Sequence, residues 1–468
     1  MYDVEQYVAG SWGPGSSGHK LTVVNPADGT AVTVVPLSSP GDVTAAVQAA
    51  RDAAPGWAST APAARAAALH AAATALESGA DELAEIMSAE MGKPVDGARE
   101  SIGAGVGTLR QYAELGPTHR GRTLAGDDGA IDLMAYGPRG VVAVITPWND
   151  PVAVACGLLG AALVTGNTVV HKPSERTPAT GWRVVQLLAP HFPPGVLNLV
   201  NGDGSVGAAL AASGVDVVAQ VGSTATGRSI AAACARTGAK ALLENGGKDP
   251  VIVDAGVDPA WAAQQVALGA FVNSGQICVA VERVYAHRDV ASAFLDCLAT
   301  EADSWATRIG PMVDRRMRDA VDEQVQQAVK DGARAVRGGA VPAGPGAYYP
   351  PTVLADCTDD MAVMREETFG PVAPVMVVDS FDEGLRRAAD SPYGLAATVL
   401  TSSMSHAQQA WRTLPAGTVK VNAVFGGAPG GAAHPRRGSG QGFGYGPELL
   451  DEMTATKAVH IEAPPSGW

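Results

Sequence analysis

Two short segments of the chain carry a glutamate and a cysteine among residues that fit carbonyl chemistry. Glu244 opens the segment ENGGK, and Cys278 closes the segment GQIC. A thiol attacks carbonyl carbon as a thiolate, which is a minor species at the ordinary pKa of cysteine, so a site must activate it. A carboxylate can act as a general base toward water. Neither segment is decisive alone, because a single cysteine in an apolar run is more often a small core residue.

A third segment supplies an amide. The apolar strand predicted from Gly140 to Ile145 ends in the turn TPWN, which places Asn149 just beyond a strand end. An amide N–H in that position can donate to an oxygen that becomes negative when a carbonyl is attacked. Cys278, Glu244 and Asn149 together predict one reaction centre, with a nucleophile, a base for water and an oxyanion donor.

These three segments, in this order, resemble those of the NAD(P)-dependent aldehyde dehydrogenase superfamily. Further motifs extend the resemblance nearly end to end: VNPA at 24–27, EMGKP at 90–94, HKPSE at 171–175, VGST at 221–224, EETFGP at 366–371 and SG at 439–440. The resemblance implies an α/β fold with a Rossmann-type cofactor domain, an α/β catalytic domain and a small β arm for oligomerisation. It implies that residues 1–116 and 138–245 form the NAD-binding domain, 246–436 the catalytic domain, and 117–137 with 437–468 the oligomerisation arm.

The resemblance also implies an activity, which is the oxidation of an aldehyde to a carboxylic acid with NAD, or less readily NADP, as cofactor. Cys278 would form a thiohemiacetal and then a thioester, which water activated by Glu244 would hydrolyse. Two alternatives stay open. One is a relative that transfers the acyl group to coenzyme A, although such relatives tend to lack this glutamate. The other is a catalytically silent member that acts as a binding or structural protein, which would be expected to have lost Cys278 or Glu244.

Candidate cofactor residues come from local pattern and from the resemblance. Gly222 and Ser223 lie between a predicted strand and an Ala-rich helix, and the free N–H groups of a helix N-terminus bind phosphate. By resemblance, Lys172 and Glu175 hold the adenine ribose, while Glu367 and Phe369 contact the nicotinamide ribose and ring; Trp148 is grouped with them. A carboxylate at Glu175 would repel a 2′-phosphate, which favours NAD over NADP. The GxGxxG spacing at 202–207 is equally well explained as a tight turn.

Composition limits the remaining classes of function. A chain of 468 residues is too long for one core and predicts two to four domains. The formal charge of −14, without any basic run, argues against nucleic-acid binding. Five dispersed cysteines without a CxxC pair argue against disulfides and a metal site, and they favour a reducing, cytoplasmic location. The polar N-terminus is unlike a signal peptide, and the uncharged stretch 151–170 is predicted as a helix and a strand, so we expect no membrane partner.

Periodicity predicts the elements that position these residues. Helical spacing indicates helices at 42–58, 62–78, 81–91 and 95–115, and alternating β-rich and Ala-rich stretches from 140 to 244 indicate a parallel, doubly wound sheet. A second alternating region follows. A hairpin around GDDG at 126–129 and an isolated strand from Thr456 to Glu462 are each too short to be stable alone. We therefore expect them to pair with another subunit in a homodimer or homotetramer.

The substrate is a small-molecule aldehyde whose identity the sequence does not fix. The expected funnel is wide and poor in aromatic residues, which disfavours a quaternary ammonium substrate and indicates a bulky or polar aldehyde. His434, Arg436 and Arg437 could bind a substrate carboxylate or form a solvated basic turn. Three positions depart from the common family pattern: Asn245 replaces Leu, and Phe443-Gly444 replaces Arg-Glu. The residues expected to line the funnel are Asp150, Ala153, Val154, Gly157, Val272, Ile277, Val279 and the loop 426–433.

Overall fold

The computed structural model describes residues 1–426, 431–432 and 434–464. In these residues the strands are, in chain order, β1 (Tyr2–Asp3), β2 (Gln6–Val8), β3 (Ser11–Gly13), β4 (Lys20–Val24), β5 (Ala31–Pro36), β6 (Arg122–Leu124), β7 (Ala130–Pro138), β8 (Val141–Ile145), β9 (Thr168–Lys172), β10 (Leu197–Leu199), β11 (Val217–Val221), β12 (Lys240–Glu244), β13 (Asp249–Val253), β14 (Val281–His287), β15 (Arg334–Arg337), β16 (Thr352–Ala355), β17 (Val372–Val378), β18 (Ala396–Leu400), β19 (Thr418–Val421), β20 (Gly440–Gln441) and β21 (Thr454–Glu462).

The helices of the same residues are α1 (Pro40–Ser59), α2 (Pro62–Ser78), α3 (Ala80–Met91), α4 (Val95–Leu115), α5 (Pro151–Val164), α6 (Pro178–Leu188), α7 (Gly204–Ala211), α8 (Thr224–Thr237), α9 (Pro259–Phe271), α10 (Arg288–Trp305), α11 (Arg315–Lys330), α12 (Ala362–Arg365), α13 (Phe381–Ala389), α14 (Met404–Thr413) and α15 (Glu448–Glu452). The helix predictions are confirmed, and those at 62–78 and 95–115 match α2 and α4 end to end.

The uncharged stretch 151–170 folds as the predicted helix and strand. Pro151 begins α5, which is buried on nearly all sides, and the chain then turns at Gly166 with φ 95°. The buried side chain of Asn167 accepts from the Gly140 N–H at 2.9 Å and donates to the Met453 carbonyl at 2.9 Å. These bonds satisfy one backbone N–H and one backbone carbonyl from two other segments of the chain. No helix of the described ranges is both long enough and apolar enough to cross a membrane.

The cofactor-side sheet has the order β20-β12-β11-β8-β9-β10-β2-β3. Its five central strands are parallel, as predicted, and helices separate them along the chain. Ile145 pairs with Lys172, and Val221 pairs with Glu244, so the carboxyl ends of β8, β9, β11 and β12 share one edge. That edge is where open α/β sheets bind ligands.

The catalytic-side sheet has the order β15-β16-β17-β14-β13-β18-β19 and is parallel except for β15. The chain crosses from the first sheet to this one between Glu244, the last residue of β12, and Asp249, the first residue of β13. Cys278 lies just before β14, and Phe369 lies just before β17. Because β14 and β17 are parallel neighbours, the two segments that precede them lie at the same edge of the sheet.

A third sheet forms the arm. The predicted hairpin is confirmed, since β6 and β7 pair antiparallel with Thr123 opposite Leu133. The expectation of an isolated terminal strand is wrong, because β21 pairs with β7 of its own chain from Thr454 opposite Pro138 to Glu462 opposite Ala130. The pairing joins two strands more than 300 residues apart, which no local sequence pattern could connect. A fourth, three-stranded sheet has the order β1-β5-β4.

The segment before β21 lies with the cofactor-side sheet. β20 pairs with β12, and the side chains of Leu449, Leu450 and Met453 are buried in the core below that sheet. Because these apolar side chains are buried against the cofactor-side sheet, the observed packing differs from the expected arm boundary at residue 437. We propose an arm restricted to residues 122–138 and 454–462, with 440–453 assigned to the cofactor domain.

Candidate active site

The cysteine loop is held in an unusual backbone conformation. Asn273, Ser274 and Gly275 all have left-handed φ values, of 52°, 57° and 70°. Such conformations cost free energy in residues other than glycine and persist where surrounding contacts hold them. Ser274 Oγ donates to the Gly310 carbonyl at 2.7 Å, and Gln276 Oε1 accepts from the Val313 N–H at 2.9 Å. The loop that precedes Cys278 is therefore held by the segment 310–313.

The expected oxyanion donor lies against this loop. Asn149 is buried, and its Nδ2 donates to the Gln276 carbonyl at 3.1 Å. Asn273 Nδ2 donates in turn to the Asn149 carbonyl at 3.3 Å and to the Gln276 carbonyl at 3.1 Å. The turn after β8 and the cysteine loop are thus joined by two hydrogen bonds, and a third lies within the loop. An amide nitrogen carries two N–H groups, so the bond to Gln276 leaves a second donor on Asn149.

Glu244 and Cys278 influence each other electrostatically. Cys278 is half-buried; burial raises the pKa of its thiol, and Glu244 contributes more to that rise than any other charged side chain. Burial also raises the pKa of Glu244 to about 7. Within the described residues, Glu244 Oε1 is buried and has no hydrogen-bond partner. Burial thus shifts both groups toward their neutral forms, because an isolated buried charge costs free energy.

Two aromatic residues meet across the two sheets. The ring of Trp148, after β8, and the ring of Phe369, before β17, form an edge-to-face pair with centroids 5.5 Å apart. The guanidinium of Arg176 lies 5.4 Å from the Trp148 ring and is paired with Asp314 at 3.0 Å. Phe369 has a left-handed φ of 53°, which is rare for an aromatic residue. These contacts place both predicted cofactor residues in one cluster.

A buried carboxylate that sequence reasoning missed supports the Phe369 loop. Glu282 accepts from the backbone N–H groups of Thr368 and Phe369 at 2.8 and 2.9 Å. It also accepts from Lys248 Nζ at 2.8 Å, and Lys248 donates to Thr368 Oγ1 at 2.8 Å. The available signal was a glutamate in the β-rich run VERVYAH at 281–287. Since charged residues are rarely buried without a partner, that position indicated a specific contact.

Glu367 is placed beside the glycines that follow Glu244. Its carboxylate accepts from the Gly247 N–H at 3.0 Å, and a Cβ on Gly246 would overlap the same carboxylate. Burial, with a contribution from Glu282, raises the pKa of Glu367. The two glycines of the ENGGK segment thus allow close approach of the Glu367 side chain to the crossover between the sheets.

The predicted ribose and phosphate residues lie at the carboxyl edge of the cofactor-side sheet. Lys172 is buried, and its Nζ donates to the Pro173 and Gly202 carbonyls at 2.8 and 2.6 Å. Glu175 is 40% exposed, with Oε2 4.0 Å from Lys172 Nζ. Ser223 is the N-cap of α8, and its Oγ accepts from the Thr226 N–H at 3.3 Å.

The start of α8 fits a bound dinucleotide. Thr224 Oγ1 and Gln220 Oε1 are buried and lack hydrogen-bond partners in the described part of the chain. A Cβ at Gly222 would overlap the Gln220 side chain, so glycine keeps this turn open. A hydroxyl without a partner at a helix N-terminus can donate to an anionic group, whereas the Gln220 amide oxygen can only accept. At the GxGxxG position, by contrast, a Cβ on Gly202 would overlap Val206, which explains that glycine by the tight turn into α7.

The expected substrate wall gains an aromatic residue from a distant segment. Tyr445 packs on α5, with its Cε1 2.7 Å from where a Cβ of Gly157 would lie. Burial raises the pKa of Tyr445 well above its usual value, with further contributions from Glu244 and Asp150. Asp150 accepts from Ser101 Oγ and lies 3.8 Å from Lys93 Nζ. The wall is therefore more polar than expected and is not free of aromatic residues.

The other residues predicted to lie near the rim of the substrate site make contacts within the protein. Arg437 donates to the Ala389 and Ser391 carbonyls at 2.9 and 2.6 Å, which explains it without a substrate carboxylate. His434 stacks on Phe443 with ring centroids 4.4 Å apart. Asn245 Nδ2 donates to the Gly438 carbonyl at 3.2 Å, which gives this departure from Leu a local role. In the predicted loop 426–433, residues 427–430 and 433 lie outside the described residues.

Comparison with known proteins agrees over nearly the whole chain. The Aldehyde dehydrogenase family model matches residues 12–459. Hydroxyisobutyraldehyde dehydrogenase of Mycolicibacterium austroafricanum is 35% identical, with 98% of this chain and 94% of the relative covered. Homo sapiens retinaldehyde dehydrogenase 3 is 33% identical, with 97% and 92% covered. The crystal structure of an NAD-dependent aldehyde dehydrogenase from Sinorhizobium meliloti superposes with a TM-score of 0.96 at 33% identity, covering 100% of this chain and 96% of that one.

Proposed function

This chain belongs to the aldehyde dehydrogenase family and is an NAD(P)-dependent oxidoreductase of aldehydes, and we propose that Cys278, Glu244 and Asn149 carry out its chemistry. The observation that carries this assignment is the hydrogen bond from Asn149 Nδ2 to the Gln276 carbonyl, two residues before the cysteine. It joins the end of a cofactor-side strand to the nucleophile loop. Glu244 enters the same centre from the end of β12.

Each residue then has one role. The Cys278 thiol loses its proton to solvent, and the thiolate sulfur forms a bond to the aldehyde carbon as the carbonyl π bond breaks. The oxygen that becomes negative is stabilised by the second N–H of Asn149 and by the Cys278 backbone N–H. Bound NAD would supply the acceptor for the hydride that this carbon loses, and the acyl group would stay on the Cys278 sulfur. Glu244 removes a proton from water, the water oxygen attacks the acyl carbon, and the carbon–sulfur bond breaks to release the acid. This hydrolytic route is favoured over transfer to coenzyme A because the base is present.

The cofactor would be held along the edge of the first sheet. Gly222 and Ser223, at the start of α8, suit the pyrophosphate, and Lys172 and Glu175 suit the adenine ribose. Glu367, Phe369 and Trp148 suit the nicotinamide half, since they cluster where the two sheets approach. The partly exposed carboxylate of Glu175 supports NAD over NADP, because it would repel a 2′-phosphate.

The substrate class is proposed from the wall of the site. Asp150 and the hydroxyl of Tyr445 are polar groups beside Cys278, and the raised pKa of Tyr445 keeps it a hydrogen-bond donor. A polar or hydroxylated aldehyde would use both groups, whereas a purely apolar one would leave them unsatisfied. The relatives themselves are named for a small hydroxylated aldehyde and for a large apolar one, so their names do not select a substrate.

We further propose that the arm formed by β6, β7 and β21 joins subunits in a homodimer or homotetramer. The observation that supports it is exposed apolar surface on a small sheet: Leu124, Ile131 and Ile461 are 45%, 58% and 52% exposed. The reaction itself is tested with a panel of aldehydes and NAD, following absorbance of the reduced cofactor. Turnover of hydroxylated aldehydes should exceed that of alkyl aldehydes of equal length, and absence of turnover with every aldehyde would contradict the assignment.

A further inference from the structure

The carboxylate of Glu244 occupies the space that a side chain at position 444 would fill, and this space is the seat of the carboxylate. Glu244 pairs with Gly440 where β20 joins β12, and the chain then runs through Gly442, with a left-handed φ of 83°, to Gly444. A Cβ built on Gly444 would overlap Glu244 Oε1 and lie too close to the Glu244 Cδ. Gly444 itself does not have a left-handed φ, so its backbone would accept any residue. The three atoms nearest to that Cβ all belong to the Glu244 side chain, which accounts for glycine at this position.

Placing an ionised carboxylate in this seat costs free energy. Within the described residues, Oε1 of Glu244 is sealed from solvent without a hydrogen-bond partner, and burial alone accounts for a pKa raised to about 7. The titratable groups that face it are Tyr112 from α4, Tyr445 from the same segment as Gly444, and Cys278. Phenol and thiol groups are neutral or anionic, so none of them supplies a positive charge. Asp150, which acts on Tyr445 and Cys278, adds negative charge.

We propose that Gly444 is a positioning residue for the Glu244 base, because the space left by its missing side chain forms the seat in which the carboxylate rests. The proposal depends on the role of Glu244 in hydrolysing the thioester. A carboxyl group in the seat must ionise before it can take a proton from water, so the seat sets the lowest pH at which hydrolysis is fast. A side chain at position 444 would push the carboxylate out of the seat.

The sign of the effect follows from burial. In the seat, desolvation holds the pKa of Glu244 near 7, whereas the usual value for a glutamate is 4.5. Displacement by a methyl group exposes the carboxylate to water or to polar groups, so its pKa falls toward the usual value. The acid limb of the pH profile of kcat should therefore move to lower pH, by about one unit or more, when hydrolysis limits turnover.

The experiment compares Gly444→Ala with wild type and with Gly103→Ala as a matched control. Gly103 is an exposed helical glycine on α4 whose added Cβ would meet no atom within 4 Å. For each protein, kcat is measured across pH, together with the burst of reduced cofactor in the first turnover. The expected result is an acid limb shifted only in Gly444→Ala, with an unchanged burst amplitude. A wild-type acid limb in Gly444→Ala overturns the proposal.

Two further measurements separate this proposal from the role of Glu244 and from misfolding. In the background Glu244→Gln, Gly444→Ala should cause no additional shift; if Glu244→Gln alone leaves steady-state turnover unchanged, the assigned base is wrong and the seat is irrelevant. Infrared difference spectra of wild type against Glu244→Gln need no change at 444. A protonated carboxyl band that titrates near pH 7 supports the seat, and one that titrates near the usual value of 4.5 contradicts it.

Discussion

The carboxylate of Glu282 accepts a hydrogen bond from the backbone N–H of Phe369 at 2.9 Å and so fixes an aromatic residue with a left-handed backbone. The same carboxylate pairs with Lys248, whose side chain is fully buried. Removing one partner of such a pair leaves an uncompensated buried charge, which typically costs about 3–5 kcal/mol. A stability effect and a cofactor effect are therefore both expected from this one residue.

We predict that Glu282→Gln lowers the melting temperature and raises KM for NAD several-fold, while kcat at saturating NAD falls less. The reason is that the amide cannot accept from two backbone N–H groups and an ammonium as a carboxylate does. Fluorescence titration with NAD and a thermal melt check it. Glu114→Ala, an exposed glutamate of α4, serves as control. Unchanged NAD binding in a destabilised Glu282→Gln would limit Glu282 to a structural role.

Cys278→Ala should reduce aldehyde oxidation to background and leave the Kd for NAD within a few-fold. The thiol forms the bond to substrate, whereas no described contact assigns it to the cofactor. Cys297→Ala is the matched control, since that thiol is also partly exposed but lies on α10. Appreciable turnover by Cys278→Ala would contradict the proposed role of Cys278 as the nucleophile.

Glu244→Gln should retain the burst of reduced cofactor and lose steady-state turnover, by about 10²-fold or more, because the acyl enzyme lacks its general base. Rapid-mixing absorbance at saturating aldehyde measures both phases. Coenzyme A added to the wild type should not raise the rate, and a thioester product would instead favour the acyl-transferring alternative.

Sequence reasoning worked where a local signal exists. Pro62 and Pro151 predict helix starts because proline suits the first turn, and both begin helices in the structure. The predicted strands and the three reacting segments could be recognised for the same reason, since each motif is continuous. The structure brings those segments to facing edges of two sheets. The roles of Cys278, Glu244 and Asn149 stay predictions until the variants are measured.

The residues that were missed all depend on contacts between distant segments. Glu282 contacts the backbone of Phe369, and Tyr445 packs on Gly157. Gly444, which the sequence marked only as a departure from the family pattern, makes room for Glu244. Each lies on a strand or loop whose partner is many residues away, so no spacing rule points to it. The pairing of β21 with β7 was missed for the same reason, since register between distant strands is set by the whole fold.

Glu175 gives a cofactor prediction. The ratio of kcat/KM for NAD to that for NADP should exceed one, and Glu175→Ala should narrow it about tenfold or more by removing repulsion of the 2′-phosphate. Initial rates with both cofactors measure the ratio, and Glu114→Ala should leave it unchanged. A wild type that prefers NADP would show that the Glu175 side chain does not face the ribose.

The arm gives the last prediction, which concerns assembly. Truncation after Met453 removes β21 but keeps Met453, whose carbonyl accepts from Asn167 and whose side chain is buried below the cofactor-side sheet. The cofactor domain should therefore stay folded, while β7 loses the strand that covers one of its edges. We expect the full-length chain to be a dimer or tetramer by light scattering at micromolar concentration, and the truncated chain to be monomeric or to aggregate. Ile461→Asp should weaken assembly in the same direction without removing the strand, whereas Val329→Asp, at a valine of α11 that is 40% exposed, should not. A monomeric full-length protein would contradict the proposed arm and leave β21 as a strand that only completes its own sheet.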